Sequence, residues 1–188
     1  ALAISDSGYE LFQNIPNGNG DFSVAAAGAN TGGGTLSPGS VSDRAAYVRD
    51  TYTFSFSLSG TGQLQFSVTG VTSGPVIVNQ VFTEDSAITF NGITTQIDGT
   101  PAVGDTFTIT PSVSQDVFTT IRNGITAMKL PNSSAAEKAQ LRVALDQALE
   151  SLDQASIKID TIRSQIGTRL NVAQTELESN LAISTQLK

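Results

Sequence analysis

Two periods divide the chain. Between residues 52 and 109 apolar and polar side chains alternate in short runs punctuated by glycine, and beyond residue 113 the apolar positions recur every three or four residues. In "DTYTFSFSLSG", Tyr52, Phe54, Phe56 and Leu58 fall on one side and Thr or Ser on the other, the period of two that a half-buried strand requires. "GQLQFSVTG" repeats the pattern with Leu64, Phe66 and Val68, and "PVIVNQVF" is a short β-branched run. "AITFNGITTQI" sets Asn91-Gly92 between two strand-like pieces, a hairpin signal because both residues tolerate positive φ. "DTFTIT" closes the series. Short strands joined by glycine turns predict a small antiparallel sandwich or barrel. Upstream, "NIPNGNGDF" contains a turn, and "GANTGGGTLSPGSVSD" reads as an exposed loop.

The second period predicts helices. Phe118, Ile121, Ile125 and Met128 form one apolar face of a helix over about 114–130, with Ser114 as its N-cap, Asp116 in its first turn and Pro131 as its stop. Ser134 and Glu137 then have the spacing of a capping box, opening a second helix over 134–188 that no proline interrupts. One apolar stripe runs along it: Leu141, Leu145, Ala148, Leu152, Ala155, Ile159, Ile162, Ile166, Leu170, Ala173, Leu177 and Leu181. Its steps are heptad-like as far as Ile166 and nearer an eleven-residue repeat afterwards, so a left-handed supercoil should relax there. An amphipathic rod of this length is marginal in water unless its stripe is covered. The chain offers only the short preceding helix as cover. The sequence therefore predicts an assembly interface carried by Leu141, Leu145, Leu152, Ile159, Ile162, Ile166, Leu170, Leu177 and Leu181, facing a neighbouring subunit or a further segment of the same protein.

Composition sharpens the division. Residues 1–112 hold 15 of the 17 glycines, eight of the nine phenylalanines, and nine acids against two bases. Residues 113–188 balance eight acids with eight bases, so the whole net charge of −7 lies in the first part. The expected fold is α+β: an antiparallel β domain over 1–112, then a helical rod domain over 113–188.

The same composition excludes functions. An acidic chain without a Lys/Arg cluster is poorly suited to nucleic acid, and no basic amphipathic face suits a membrane surface. Without cysteine there is no disulfide, thiolate nucleophile or cysteine-held zinc, and without histidine no imidazole base. "DGTPAVGDTF" superficially resembles a phosphate loop, yet it has no Lys, lies between strands, and carries Asp98 and Asp105, which would repel phosphate. It is expected to turn the chain. "NGNGD" lacks the spaced acids of a calcium loop, and "ANTGGGT" lacks the strand-then-helix setting of a dinucleotide site. Glu84-Asp85 reads as a solvated turn, and "NSS" at Asn132 as a helix connection. No catalytic, cofactor-binding or metal-binding residue is assigned. The start "ALAISDSGYELF" has neither Met nor the basic and apolar regions of a secretory signal, and points to an excerpt of a longer chain.

Three motifs in order carry a family resemblance. "ITFNGITTQIDGTPAVGDTFTITPSVSQDVFTTIRNGITAM" combines Ile-x-Phe-x-Gly, Ile-x-Gly-x-Pro, Gly-Asp-x-Phe-x-Ile and Pro-Ser before a helix led by Phe. "DSGYELFQNIPNGNGDF" has Gly-x-x-x-Phe and then Gly-x-Gly-x-Phe, and "IRSQIGTRLNVAQTELES" sets Arg163, Gly167, Arg169, Leu170 and Asn171 on the rod. Together they resemble the hook–filament junction (FlgL) family of the bacterial flagellum, hook-associated relatives of flagellin. That resemblance implies a structural subunit exported unfolded through the flagellar secretion channel with an export chaperone. It implies assembly with copies of itself in a ring, between a hook-side junction protein and flagellin, outside the cell. It also implies further rod helices before residue 1 and a terminal coiled coil after residue 188. The alternatives are a flagellin filament subunit, or a β-headed coiled-coil adhesive module, for which three Tyr and no Trp offer a poor carbohydrate surface.

Overall fold

The computed structural model describes residues 12–187. The part of the entry motif at residues 1–11 lies outside the described residues, as does Lys188. Among the described residues eleven strands precede two helices. Five strands form an antiparallel sheet in the order β2 (Phe22–Ala26), β10 (Thr106–Pro111), β5 (Tyr52–Leu58), β6 (Leu64–Gly70) and β7 (Gly74–Val81). A smaller sheet runs β3 (Thr35–Leu36), β9 (Ile93–Asp98) and β4 (Ser40–Val41), with β8 (Ala87–Phe90) also paired to β9. β1 (Ile15–Pro16) pairs with β11 (Ser114–Gln115) where the chain enters and leaves the β region.

The period of two selects the inner faces. Tyr52, Phe54, Phe56, Phe66 and Val68 of the large sheet are buried, and Ile88, Phe90, Ile93 and Ile97 of the small sheet face the same core. Phe90 joins the two layers edge-on, its ring centroid 5.0 Å from Tyr52 and 5.7 Å from Phe54. Leu58, at the end of its strand, is exposed. The Asn91-Gly92 hairpin forms between β8 and β9, with φ of 42° and 76°. At Gly92 a side chain would also collide with the Asp43 carbonyl, 2.3 Å from the Cβ position.

Residues 28–43 depart from the exposed-loop expectation. Thr35 and Leu36 pair with Asp98 and Ile97 and are buried, and Ser40 and Val41 pair with Thr94 and Ile93. The loop is fastened by Asp105, which accepts hydrogen bonds from the backbone N–H of Thr31 (2.7 Å), Gly32 (3.0 Å) and Ala102 (2.8 Å).

The first helix, α1 (Val117–Ala127), begins later than its composition suggests. Ser114 is taken up by β11, and Asp116 is the N-cap, accepting from Thr119 N–H at 2.8 Å. That hydrogen bond holds the Asp116 carboxyl below its usual range. The second helix, α2 (Ala135–Gln186), opens on the capping box read from the sequence. Ser134 Oγ accepts from Glu137 N–H at 3.1 Å, and Glu137 Oε2 accepts from Ser134 N–H at 3.0 Å. At 1.5 Å per residue its 52 residues span about 78 Å.

Candidate assembly surface

α2 has two working sides. The side against the β region and α1 buries Ala139, Val143, Ala148, Ser151 and Ala155, and Val143 joins the β core directly. Leu141 and Val143 lie about 200° apart around the helix, so the apolar stripe starts on a different side from the core contact. Leu141 and Leu145 are half-buried, Leu152 is exposed, and Ile159 and Ile162 are half-buried. Ile166, Leu170, Leu177 and Leu181 are each 58–60% exposed. Among the described residues nothing buried follows Ala155, so the helix continues from residue 156 to residue 186 for about 46 Å as a bare rod.

The short helix adds to this surface in a way its periodicity does not reveal. α1 packs on α2 through small and polar positions: Thr120 and Ala127 are buried, and a Cβ on Gly124 would sit 3.7 Å from the Ala148 methyl. Its apolar face, Phe118, Ile121, Ile125 and Met128, points outward, with Phe118 and Met128 68% and 65% exposed. Phe12, at the start of the described chain, lays its ring against Phe118 with centroids 6.1 Å apart. The exposed α1 face and the α2 stripe are apolar surface of the kind that marks an interaction site.

A cleft of about 490 Å³ lies between β2, α1 and α2, and none of its lining residues is titratable; its polar groups are amides and hydroxyls such as Asn123, Gln140 and Thr120. Among the described residues no group of three or more His, Cys, Asp or Glu side chains could hold a metal ion. No described helix is long and apolar enough to cross a membrane. Glu150, beside Asp153 and Asp146 on α2, is pushed above the usual carboxyl range chiefly by burial and then by those two charges. The turn that resembled a phosphate loop is occupied by its own anion, Asp105.

Neither a protein-family model nor a curated protein matches the chain. Solved structures do. The flagellar junction protein FlgL from Legionella pneumophila is 36% identical over 90% of this chain, with a TM-score of 0.87. The flagellar hook-associated protein-3 from the same organism is 36% identical over 93% of the chain, with a TM-score of 0.89. FlgL from Xanthomonas campestris is 30% identical over 96% of the chain, with a TM-score of 0.80. The chain is FlgL-like. It spans 56–58% of the length of these three relatives. The α+β fold expected from the two periods of the sequence, an antiparallel β region followed by a short and a long helix, is the fold of this chain and matches the FlgL structures.

Proposed function

We propose that the chain is the central part of a structural, non-catalytic subunit joining the flagellar hook to the filament. The observation that carries this reading is the apolar surface left exposed at Leu152, Ile166, Leu170, Leu177 and Leu181 of α2 and on the outward face of α1, in a fold shared with flagellar junction proteins. In this reading residues 113–188 form the packing rod, and Leu141, Leu145, Leu152, Ile159, Ile162, Ile166, Leu170, Leu177 and Leu181 meet copies of the subunit or further rod segments of the same protein. The acidic β region over residues 1–112 faces outward, where its charge favours solubility. The partners are the hook-side junction protein on one side and flagellin on the other, after export with a chaperone through the secretion channel to the outside of the cell.

Deletion of the gene in the source bacterium, with electron microscopy and an assay of flagellin in the medium, tests the reading. Hooks without filaments and flagellin monomers shed into the medium are expected. Normal filaments would overturn it. Hooks still ending in junction proteins, with the major secreted subunit missing, would make this chain a flagellin instead.

A further inference from the structure

The contact between α2 and the β region is mostly a row of hydrogen bonds. Gln140, Gln147, Ser151 and Gln154 recur at steps of seven, four and three, which places them on one side of the helix. Gln140 Nε2 donates to the Asn30 carbonyl at 3.1 Å, and Gln154 Nε2 donates to the Asn19 carbonyl at 3.2 Å. In between, Gln147 Oε1 accepts from Val24 N–H at 2.8 Å, and Ser151 Oγ accepts from Gly18 N–H at 2.9 Å. Ser151 in turn donates to the Gln147 carbonyl at 2.9 Å. All four backbone partners lie between residues 18 and 30, around β2, the edge strand of the five-stranded sheet. Val24 N–H points away from β10, so without Gln147 it would be an unpaired donor on a sheet edge.

The apolar contribution at this contact is small. Val143 is the one residue of α2 in the β core, flanked on this side by alanine and serine. Apolar burial is non-directional and lets two surfaces slide, whereas hydrogen bonds between side-chain amides and fixed backbone groups demand one distance and one angle. We propose that Gln140, Gln147, Ser151 and Gln154 form an orientation latch: α2 stands as the outer neighbour of β2 and fixes the angle at which the β region sits on the rod. The β core supplies stability, and the latch supplies the angle. A load carried along the rod then moves the β region as one body with it.

The chain has no cysteine, so two introduced thiols can be spin-labelled selectively. Labels at Thr61→Cys, an exposed tip between β5 and β6, and Ser164→Cys, on the bare rod, report the angle as a distance distribution. The parent chain should give one narrow distribution. The triple variant Gln140→Ala, Gln147→Ala, Gln154→Ala should give a distribution at least twice as broad, with the cooperative β melt retained. The donors and the acceptor make a sharper pair. Gln147→Glu keeps an acceptor for Val24 N–H and should stay narrow. Gln140→Glu with Gln154→Glu sets carboxylates against carbonyls and should broaden. An unchanged distribution in the triple variant overturns the latch. Loss of the β melt overturns it too, because these side chains would then hold the core together instead of setting its angle.

Discussion

Asp105 shows how a residue can look like ligand chemistry and be architecture. Its carboxylate is buried and gathers three backbone N–H groups from two segments, the kind of concavity that elsewhere receives a phosphate. Gly32 makes this possible, since a Cβ there would lie 2.7 Å from Asp105 Oδ2 and 2.3 Å from Ala102 N. Asp105→Ala strands these donors and should cost on the order of 3 kcal/mol, read as a shift in the urea midpoint. Asp50 does similar work at the β6–β7 turn, accepting from the N–H of Thr51, Thr72 and Ser73 and from the Ser73 hydroxyl. Chiefly through the Ser73 N–H its carboxyl is lowered to about 2. A carboxyl depressed in the folded state binds fewer protons than the unfolded chain, so its stabilisation is complete above the ordinary Asp value and fades as pH falls towards about 2. The melting temperature should therefore drop across that interval, and Asp50→Asn should flatten the slope. An identical slope in Asp50→Asn would remove Asp50 from the acid response.

At the scale of elements, α1 separates two meanings of an apolar stripe. Its four large apolar residues form a clean helical face, but the face that packs is Thr120, Gly124 and Ala127, because small residues let α1 approach α2 closely. Replacing Ile121 and Ile125 by Ser should thus leave the melting temperature of the isolated chain within a few degrees, since both side chains are nearly half exposed and neither belongs to the packed core. The same variant should reduce incorporation into the flagellum, measured by immunolabelling of hook tips. A large loss of stability would instead mean that the face is covered within the chain. What the sequence made legible follows from the same physics. Alternation in β5 and β6, the Asn91-Gly92 hairpin and the Ser134–Glu137 box are local signals, each complete within a few residues. β3 and β4 are two residues long and exist through pairing with β9, more than fifty residues away, so no period could announce them. The latch side of α2 was silent for another reason: Gln140, Gln147, Ser151 and Gln154 are polar, and a reading built on apolar periodicity takes such residues for solvent-facing ones.

At the scale of the whole molecule, the apolar core of the described residues is satisfied by folding, and the apolar stripe of the rod is not. The core between the sheets closes on itself, with phenylalanines from both layers in contact. The stripe on α2 runs on to Leu181, about 39 Å past Ala155, where a lone helix gains nothing from burying its apolar side. This asymmetry permits a test that folding cannot confuse. Ile166 is 59% exposed, so Ile166→Asp should change the stability of the isolated chain by about 0.5 kcal/mol or less. In an assembled rod the same carboxylate would be buried without a partner, at a cost of several kcal/mol at every repeated contact. Leu170→Asp, four residues further along the same stripe and 58% exposed, should behave alike. Ile157 is 52% exposed but lies about 160° round the helix from Ile159's side of the stripe, which makes Ile157→Asp the matched control. Expressed in a strain lacking the native gene, the two stripe variants should fail to restore filaments, and the control should restore them. Thermal melts of the three purified proteins should superimpose. If the stripe variants restore filaments as well as the control does, the packing surface lies elsewhere, with the outward face of α1 the next place to substitute. Failure of all three would show that the whole circumference of the rod is enclosed, as expected of a helix buried among several neighbours and not paired along a single seam.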